Sequence, residues 1–243
     1  MGQYKTEAIL LVVRDWDDSS RVVTLFSREF GKITAIGYGA RRPRNQLAGT
    51  LQPFVQTELV LLSGKSYDSI KQCEIIESFR GIREDLSKMA YANFLAELVV
   101  ELWPERVAEA AVYDMLLAAF TMMKTRNPRI TSLASALQLL NLAGFSPEIT
   151  KCSACGDVIS GPAFFCAAIG GAICPNCSKP GFSDFSEETG VFFKRLMELD
   201  WQEPGSFTVT GAILLETERL LADFITYCLD KQLKSIAFIA AVT

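Results

Sequence analysis

Two cysteine pairs, Cys152-Ser-Ala-Cys155 and Cys174-Pro-Asn-Cys177, stand eighteen residues apart in the middle of this chain. Each C-x-x-C turn presents two thiolates to one side, and two such turns supply the four soft donors that a tetrahedral Zn²⁺ takes at about 2.3 Å. The spacer falls within the C-x₂-C-x₁₅₋₂₀-C-x₂-C pattern of zinc sites and is long enough for a short β-hairpin that brings the turns together. Four protein ligands close the coordination sphere, so the expected role is structural. The other use of such a pair is a disulfide or a redox centre. That reading calls for a lowered thiol pKa near a βαβ pattern, and none surrounds either pair.

The remaining cysteines point the same way. Seven is an odd number and suits a disulfide framework poorly. Cys73 and Cys228 lie in apolar periodic segments and are expected to pack in the core. Cys166, between the pairs, is expected to be a strand residue and not a fifth ligand. The first apolar run, Ala8 to Val13, is too short for a signal sequence or a membrane span. Met1-Gly2 with Thr6 fits a myristoylation pattern, but Thr6 is expected to open a strand. A cytoplasmic zinc protein, not bound to membrane, is the expectation.

There is no histidine in the chain. Ser-His-Asp and Cys-His catalysis, histidine-bearing zinc sites and H-x-E deaminase chemistry are therefore excluded. No phosphate-binding G-x-x-x-x-G-K-[ST] loop or G-x-S-x-G elbow occurs, and Gly37-Tyr-Gly39 lacks the third glycine of a dinucleotide loop. The sequence offers no catalytic constellation, so the protein is expected to act as a binding protein and not as an enzyme.

At 243 residues the chain can hold one large domain or two to three small ones. Its opening reads as β. Thr6 to Arg14, Arg21 to Ser27, Lys32 to Tyr38, Thr57 to Leu62 and Ser69 to Ile76 are short runs rich in Val, Ile, Leu and Thr, separated by polar turns. Five such strands predict a small barrel, commonly an OB-fold and often a nucleic-acid binder. Residues 1–80 carry a net charge of +2, and 81–243 carry −6. Between Phe30 and Thr57 stand Lys32, Arg41, Arg42 and Arg44 with no acidic residue, together with Tyr38 and Phe54. Cations that neutralise phosphates beside rings that stack on bases make a single-strand groove; a solvated loop with incidental arginines fits the same pattern.

The rest reads as α around the cysteine module. Helical periodicity runs over Ile82 to Trp103, Val107 to Lys124, Ser132 to Ala143, Glu187 to Leu199 and Ala212 to Leu229. Pro104 and Asn127-Pro128 act as breaks, and Gly144 as a C-cap. No flexible linker separates the module, so it is expected to pack on the helices. The expected class is α+β multidomain: an N-terminal OB-fold β-barrel over 1–80, then an all-α domain over 81–243 carrying a four-cysteine zinc module at about 150–180.

In order along the chain, these features resemble the RecO family of bacterial recombination mediators. They are Thr6-Glu-Ala-Ile-Leu-Leu with Arg21-Val-Val-Thr-Leu-Phe26, then Gly31-Lys32 leading into Gly37-Tyr-Gly-Ala-Arg-Arg42, then Leu51-Gln-Pro-Phe54. Leu139 to Pro147 runs into the first cysteine pair, Gly170-Gly-Ala-Ile leads the second, and Leu233-Lys-Ser235 follows near the end. The resemblance implies a nucleoid-associated protein that binds single- and double-stranded DNA and anneals complementary strands without ATP. With RecR it would help load RecA on DNA coated by single-strand-binding protein (SSB). It would hold one structural Zn²⁺ through Cys152, Cys155, Cys174 and Cys177, and contact DNA through Lys32, Tyr38, Arg41, Arg42 and Arg44. Docking of the acidic SSB C-terminal tail would need a basic rim, for which the mostly acidic helical half offers Lys124, Arg126 and Arg129. A zinc-ribbon scaffold from a transcription or translation assembly would share the site without annealing DNA.

Overall fold

The structure, a computed structural model, describes residues 2–206 and 208–242, so Met1 of the Met1-Gly2 pattern lies outside the described residues. The chain divides into two compact units, residues 1–132 with 237–243, and residues 133–236.

The first unit opens with a closed five-stranded barrel, β1 (Gln3–Asp15), β2 (Arg21–Ser27), β3 (Gly31–Gly37), β4 (Gln56–Leu62) and β5 (Asp68–Glu77), in the order β1-β2-β3-β5-β4. All neighbours are antiparallel except β3 and β5, which meet briefly in parallel at Ala35–Asp68 and Ile36–Ser69. This is the expected OB-fold architecture. Alternation decides it: Ala8, Leu10, Val23, Leu25, Ile33, Ala35, Leu59, Leu61 and Ile70 fill the interior. The β3–β4 connection, residues 38–55, adds Ala40, Leu47 and Leu51 to that core. It is stitched to a bulge in β1, where Leu10 donates to the Val55 carbonyl at 3.0 Å and accepts from the Phe54 N–H at 2.6 Å. Phe54 is therefore core, 1 % exposed and edge-on to Phe120 at 5.5 Å, and cannot stack on a base as its place in the basic stretch had implied.

Helices α1 (Arg80–Arg83), α2 (Leu86–Leu102) and α3 (Ala110–Met123) complete this unit, and α4 (Pro128–Leu142) begins in it. The single helix expected from Ile82 is broken, because the Asp85 side chain accepts from the Lys88 N–H at 3.0 Å and so starts α2 afresh. Part of the barrel's outer face is covered too, while most of β5 stays open. Phe26 meets Trp103 edge-on at 6.4 Å, Gln56 donates to the Tyr113 hydroxyl at 3.0 Å, and Arg28 forks onto Asp114 at 3.0 Å through both nitrogens. Burial and the nearby Glu7 carboxylate push the Tyr113 phenol up to about 12.

In the second unit α4 ends in a Schellman turn: the Phe145 N–H reaches the Leu140 carbonyl and the Gly144 N–H that of Asn141, as expected for Gly144. A three-stranded sheet follows, ordered β7-β6-β8, with β6 (Ala163–Cys166), β7 (Gly171–Ile173) and β8 (Ser183–Phe185). Helices α5 (Glu187–Met197) and α6 (Gly211–Leu229) pack on it. Phe165 of the sheet lies 6.3 Å from Phe193 on α5 and 6.2 Å from Phe224 on α6, and Phe185 lies 5.9 Å from Phe193. This ring cluster fixes the cysteine module on the helices. Cys166 ends β6 as expected, and α7 (Lys234–Val242), a helix that the periodicity did not announce, starts in this unit and belongs to the first from residue 237. Among the described residues no helix is long and apolar enough to cross a membrane.

Candidate metal centre and nucleic-acid interface

The hairpin of β6 and β7 does what the spacer length predicts: it carries Cys174 back to the Cys152 turn. The first turn is closed by Cys152 N–H to the Asp157 carbonyl at 2.7 Å and Gly156 N–H to the Cys152 carbonyl at 2.8 Å. The second is a 3₁₀ turn, Pro175–Cys177, with Cys177 N–H on the Cys174 carbonyl at 3.0 Å. Ser153 N–H to the Ala172 carbonyl, 2.9 Å, holds the two turns in register. Gly171 has φ +148, and a Cβ there would fall 2.1 Å from the Glu148 carbonyl oxygen, so this close approach requires glycine.

The four Sγ atoms lie within 4.8 Å of one another. Cys155 and Cys174 are 3.8 Å apart, close to the edge of about 3.8 Å for a tetrahedron with 2.3 Å metal–sulfur bonds. Cys152 is buried, and Cys155 is exposed. The Cys174 N–H, 3.3 Å from the Cys152 sulfur, leads the backbone donors that bring that thiol down to about 6. The Asp157 N–H pulls the Cys155 thiol down too. The bond shared with Cys152, with burial and the other neighbours, outweighs it and pushes that thiol up to about 12. Thiols this close resist ionising together unless a cation stands among them. The residues thus fit a closed four-thiolate metal site. Cys73 and Cys228 are partly buried elsewhere, and burial pushes both thiols up.

The basic loop after β3 is a chain of turns: Arg42 N–H to Gly39, Asn45 N–H to Arg42, and Ala48 N–H to Asn45. The Asn45 side chain bonds the Tyr38 carbonyl at 3.2 Å and accepts from the Leu47 N–H at 2.8 Å. Tyr38 is 58 % exposed, and Arg41, Arg42 and Arg44 are exposed beyond it. Arg41 is anchored, donating to the Asp17 carbonyl at 2.8 Å with its Nε 3.5 Å from Asp15. Lys32 stands apart from these. Its Nζ donates to the Val100 carbonyl near the end of α2 at 2.5 Å.

Lys124, at the end of α3, pairs with Glu77 at 2.9 Å and lies 5.7 Å from the Phe79 ring centre. Arg126 is exposed in the α3–α4 turn. Arg129 lies in the first turn of α4, where the Asn127 side chain accepts its N–H at 2.9 Å. Two further rings lie outside the basic stretch. Trp16 in the β1–β2 turn and Tyr67 in the β4–β5 loop are exposed and meet at 5.6 Å. A large aromatic inside a polar turn was the signal available for Trp16.

Residues 1–79 match the family model described as Recombination protein O N terminal, and residues 83–237 match Recombination protein O C terminal. The chain is 36% identical over 246 residues to a DNA repair protein RecO of Symbiobacterium thermophilum, covering 98% of this chain and 97% of that one. It is 31% identical over 241 residues to a DNA repair protein RecO of Pelotomaculum thermopropionicum, covering 98% and 94%.

Proposed function

The chain belongs to the RecO family of DNA repair proteins, and from that premise we propose that it is a DNA-binding recombination mediator. It anneals complementary strands without ATP and, with RecR, helps load RecA on SSB-coated single strands. The single observation that carries the DNA-binding part is the exposed Arg42–Arg44 tip on a turn-built loop of a closed barrel. Cations on a loop whose backbone is built of turns neutralise phosphates, and phosphate contacts carry no sequence information. Annealing of any complementary pair needs that indifference. It also needs charge neutralisation and base presentation, not bond chemistry.

In this reading residues 1–80 form the nucleic-acid-binding domain and 81–243 the helical domain with its metal module. One Zn²⁺ would be held by Cys152, Cys155, Cys174 and Cys177, since four thiolates in a closed tetrahedral set suit that ion and leave no open position for substrate. Lys124, Arg126 and Arg129 are the proposed contacts for the acidic SSB tail; unchanged peptide affinity in their triple alanine variant rejects that place. The deciding experiment is annealing of complementary oligonucleotides, free and SSB-coated, without nucleotide. Acceleration that falls in the Arg42→Ala/Arg44→Ala variant supports the reading, and no acceleration by the wild type rejects it.

A further inference from the structure

The four sulfurs of the cysteine module are not equally shielded. Cys152 is 2 % exposed, Cys174 and Cys177 are partly buried, and Cys155 is open to solvent. Its neighbours Ala154, Gly156, Asp157 and Val158 are exposed with it, and a Cβ on Gly156 would meet nothing within 4 Å. The Cys155 side chain therefore stands on an uncovered turn. Across the module the Cys174 sulfur lies 3.8 Å from it.

We propose that Cys155 is a site of reversible oxidation. A small neutral hydroperoxide oxidises it, Cys174 resolves it as a disulfide, and the module thereby gives up its metal. The proposal rests on the four-thiolate metal reading above and goes beyond it. Cys155 acts here as an oxidisable ligand and not as the thiol of a turning-over redox enzyme.

A thiolate held as a metal ligand is deprotonated and is the nucleophilic form of cysteine. With hydrogen peroxide, the Cys155 sulfur attacks one oxygen, the O–O bond breaks and hydroxide leaves, giving a sulfenic acid. The Cys174 thiolate then attacks the Cys155 sulfur. The S–S bond forms, the S–O bond breaks and a second hydroxide leaves. Two thiolates have given up two electrons, and one peroxide has been reduced to two hydroxide ions. Closing 3.8 Å to the about 2.05 Å of a disulfide asks for small side-chain shifts in the two turns. Cys152 and Cys177 alone do not satisfy a tetrahedral ion, so they do not retain it.

Two features direct the reaction. Asp157 Oδ2 accepts from the Cys155 thiol at 3.3 Å. With the thiol ionised, that carboxylate is left to accept the O–H of the hydroperoxide or of the sulfenic acid, and it repels anionic oxidants. The second feature is where the new bond falls. A Cys155–Cys174 disulfide spans the same two turns that the metal joins, and the Ser153 N–H to Ala172 carbonyl bond already keeps these in register. The donors thus stay gathered for reloading after reduction, whereas a Cys152–Cys155 bond within one turn would not tie the turns together.

The test treats the zinc-loaded full-length protein with hydrogen peroxide in the presence of a chromogenic zinc chelator. Zinc release is expected in step with the loss of two thiols. Peptide mapping by mass spectrometry is expected to find Cys155 joined to Cys174, with Cys73, Cys166 and Cys228 still free to alkylate. The melting temperature of the oxidised protein should fall between those of the loaded wild type and Cys155→Ser. Dithiothreitol with added Zn²⁺ should restore it. Zinc retained while the other cysteines oxidise overturns the proposal. So does zinc lost with the bond inside one turn, or with Cys155 carried irreversibly to the sulfinic acid. Untreated protein that carries no zinc and takes none up overturns the metal reading itself and the proposal with it.

Discussion

Arg106 donates from Nη2 to Oδ1 of Asp68 across 2.6 Å, and the Asp68 side chain is fully buried. The same carboxylate accepts from the Tyr4 hydroxyl and from the Gly64 N–H at 3.1 Å, and Arg106 also reaches the Tyr4 oxygen at 3.0 Å. Arg106 itself is held at φ +65, with its N–H on the Lys32 carbonyl at 2.9 Å. Arg106 therefore ties the α2–α3 connection to β1 and β5 through its guanidinium and to β3 through its backbone N–H. Burial opposes ionisation of Asp68, but its donors outweigh that and hold the carboxyl below the usual carboxylate range.

From this follows a stability prediction with a sign. Arg106→Ala leaves a buried carboxylate short of a donor and should cost about 1–3 kcal/mol. Because the folded pKa of Asp68 is lowered, its stabilisation is present above about pH 4, the unfolded value. It is lost as pH falls through the lower folded value. Tyr4 acts at the other end: burial first, then its bond to Asp68, pushes its phenol up to about 12. Its contribution holds below about pH 10 and is lost as pH rises toward 12. Melting curves across pH should show Asp68→Asn with a flatter acid limb and Tyr4→Phe with a flatter alkaline limb. Limbs identical to wild type would contradict the assignment.

Replacing any one of Cys152, Cys155, Cys174 or Cys177 by Ser should release the metal and destabilise the unit built on the Phe165–Phe193–Phe224 cluster. Structural zinc contributes on the order of 10 kcal/mol of apparent binding free energy in small domains. Emission spectroscopy is expected to find one zinc per wild-type chain and less in each variant, with lower melting temperatures. Metal should also leave as acid protonates the thiolates, since only deprotonated sulfur binds. Wild type free of metal, with all four variants as stable as it, would refute this.

What the sequence displayed and what it hid divide along contact range. The strands were legible because Ala8-Ile-Leu-Leu, Val23-Thr-Leu and Ile33-Thr-Ala alternate locally, and the cysteine module because its donors are fixed by spacing. Asn127-Pro128 does part α3 from α4 as expected, but the next helix opens at Pro128 and not at Ser132: the Asn127 side chain caps it, and proline sits in the first turn, where it costs no hydrogen bond. Phe54 shared a basic stretch with Arg41 and Arg44, and nothing local revealed that its N–H bonds the Leu10 carbonyl and turns the ring inward. The Arg106–Asp68 and Trp16–Tyr67 pairs join residues far apart in the chain, so no window of sequence contains them.

Lys32 and the arginine tip should separate in their effects. The Lys32 ammonium sits on a carbonyl in the last turn of α2, where a cation offsets the negative end of the helix dipole. Lys32→Ala should therefore lower stability by about 0.3–1 kcal/mol and leave the salt dependence of DNA binding in place. Chemical denaturation paired with a binding titration checks both halves; a changed salt slope at unchanged stability would return Lys32 to the DNA face.

Arg42 and Arg44 should show the reverse. Both are exposed on a loop held by backbone turns and the Asn45 side chain, so their removal leaves the fold intact. Each lost phosphate contact lowers the slope of log K against log salt by about 0.7 for single strands and about 0.9 for duplex. The Arg42→Ala/Arg44→Ala variant should thus lose about 1.4 and about 1.8 from the two slopes, bind every sequence more weakly and anneal more slowly, with zinc content and melting unaltered. Adding Arg41→Ala should lower stability as well, because that side chain also holds the β1–β2 turn through Asp15 and the Asp17 carbonyl. A double variant with wild-type affinity and slope would place the DNA face elsewhere. The search would then move to the other exposed cations, against the net negative charge of residues 81–243.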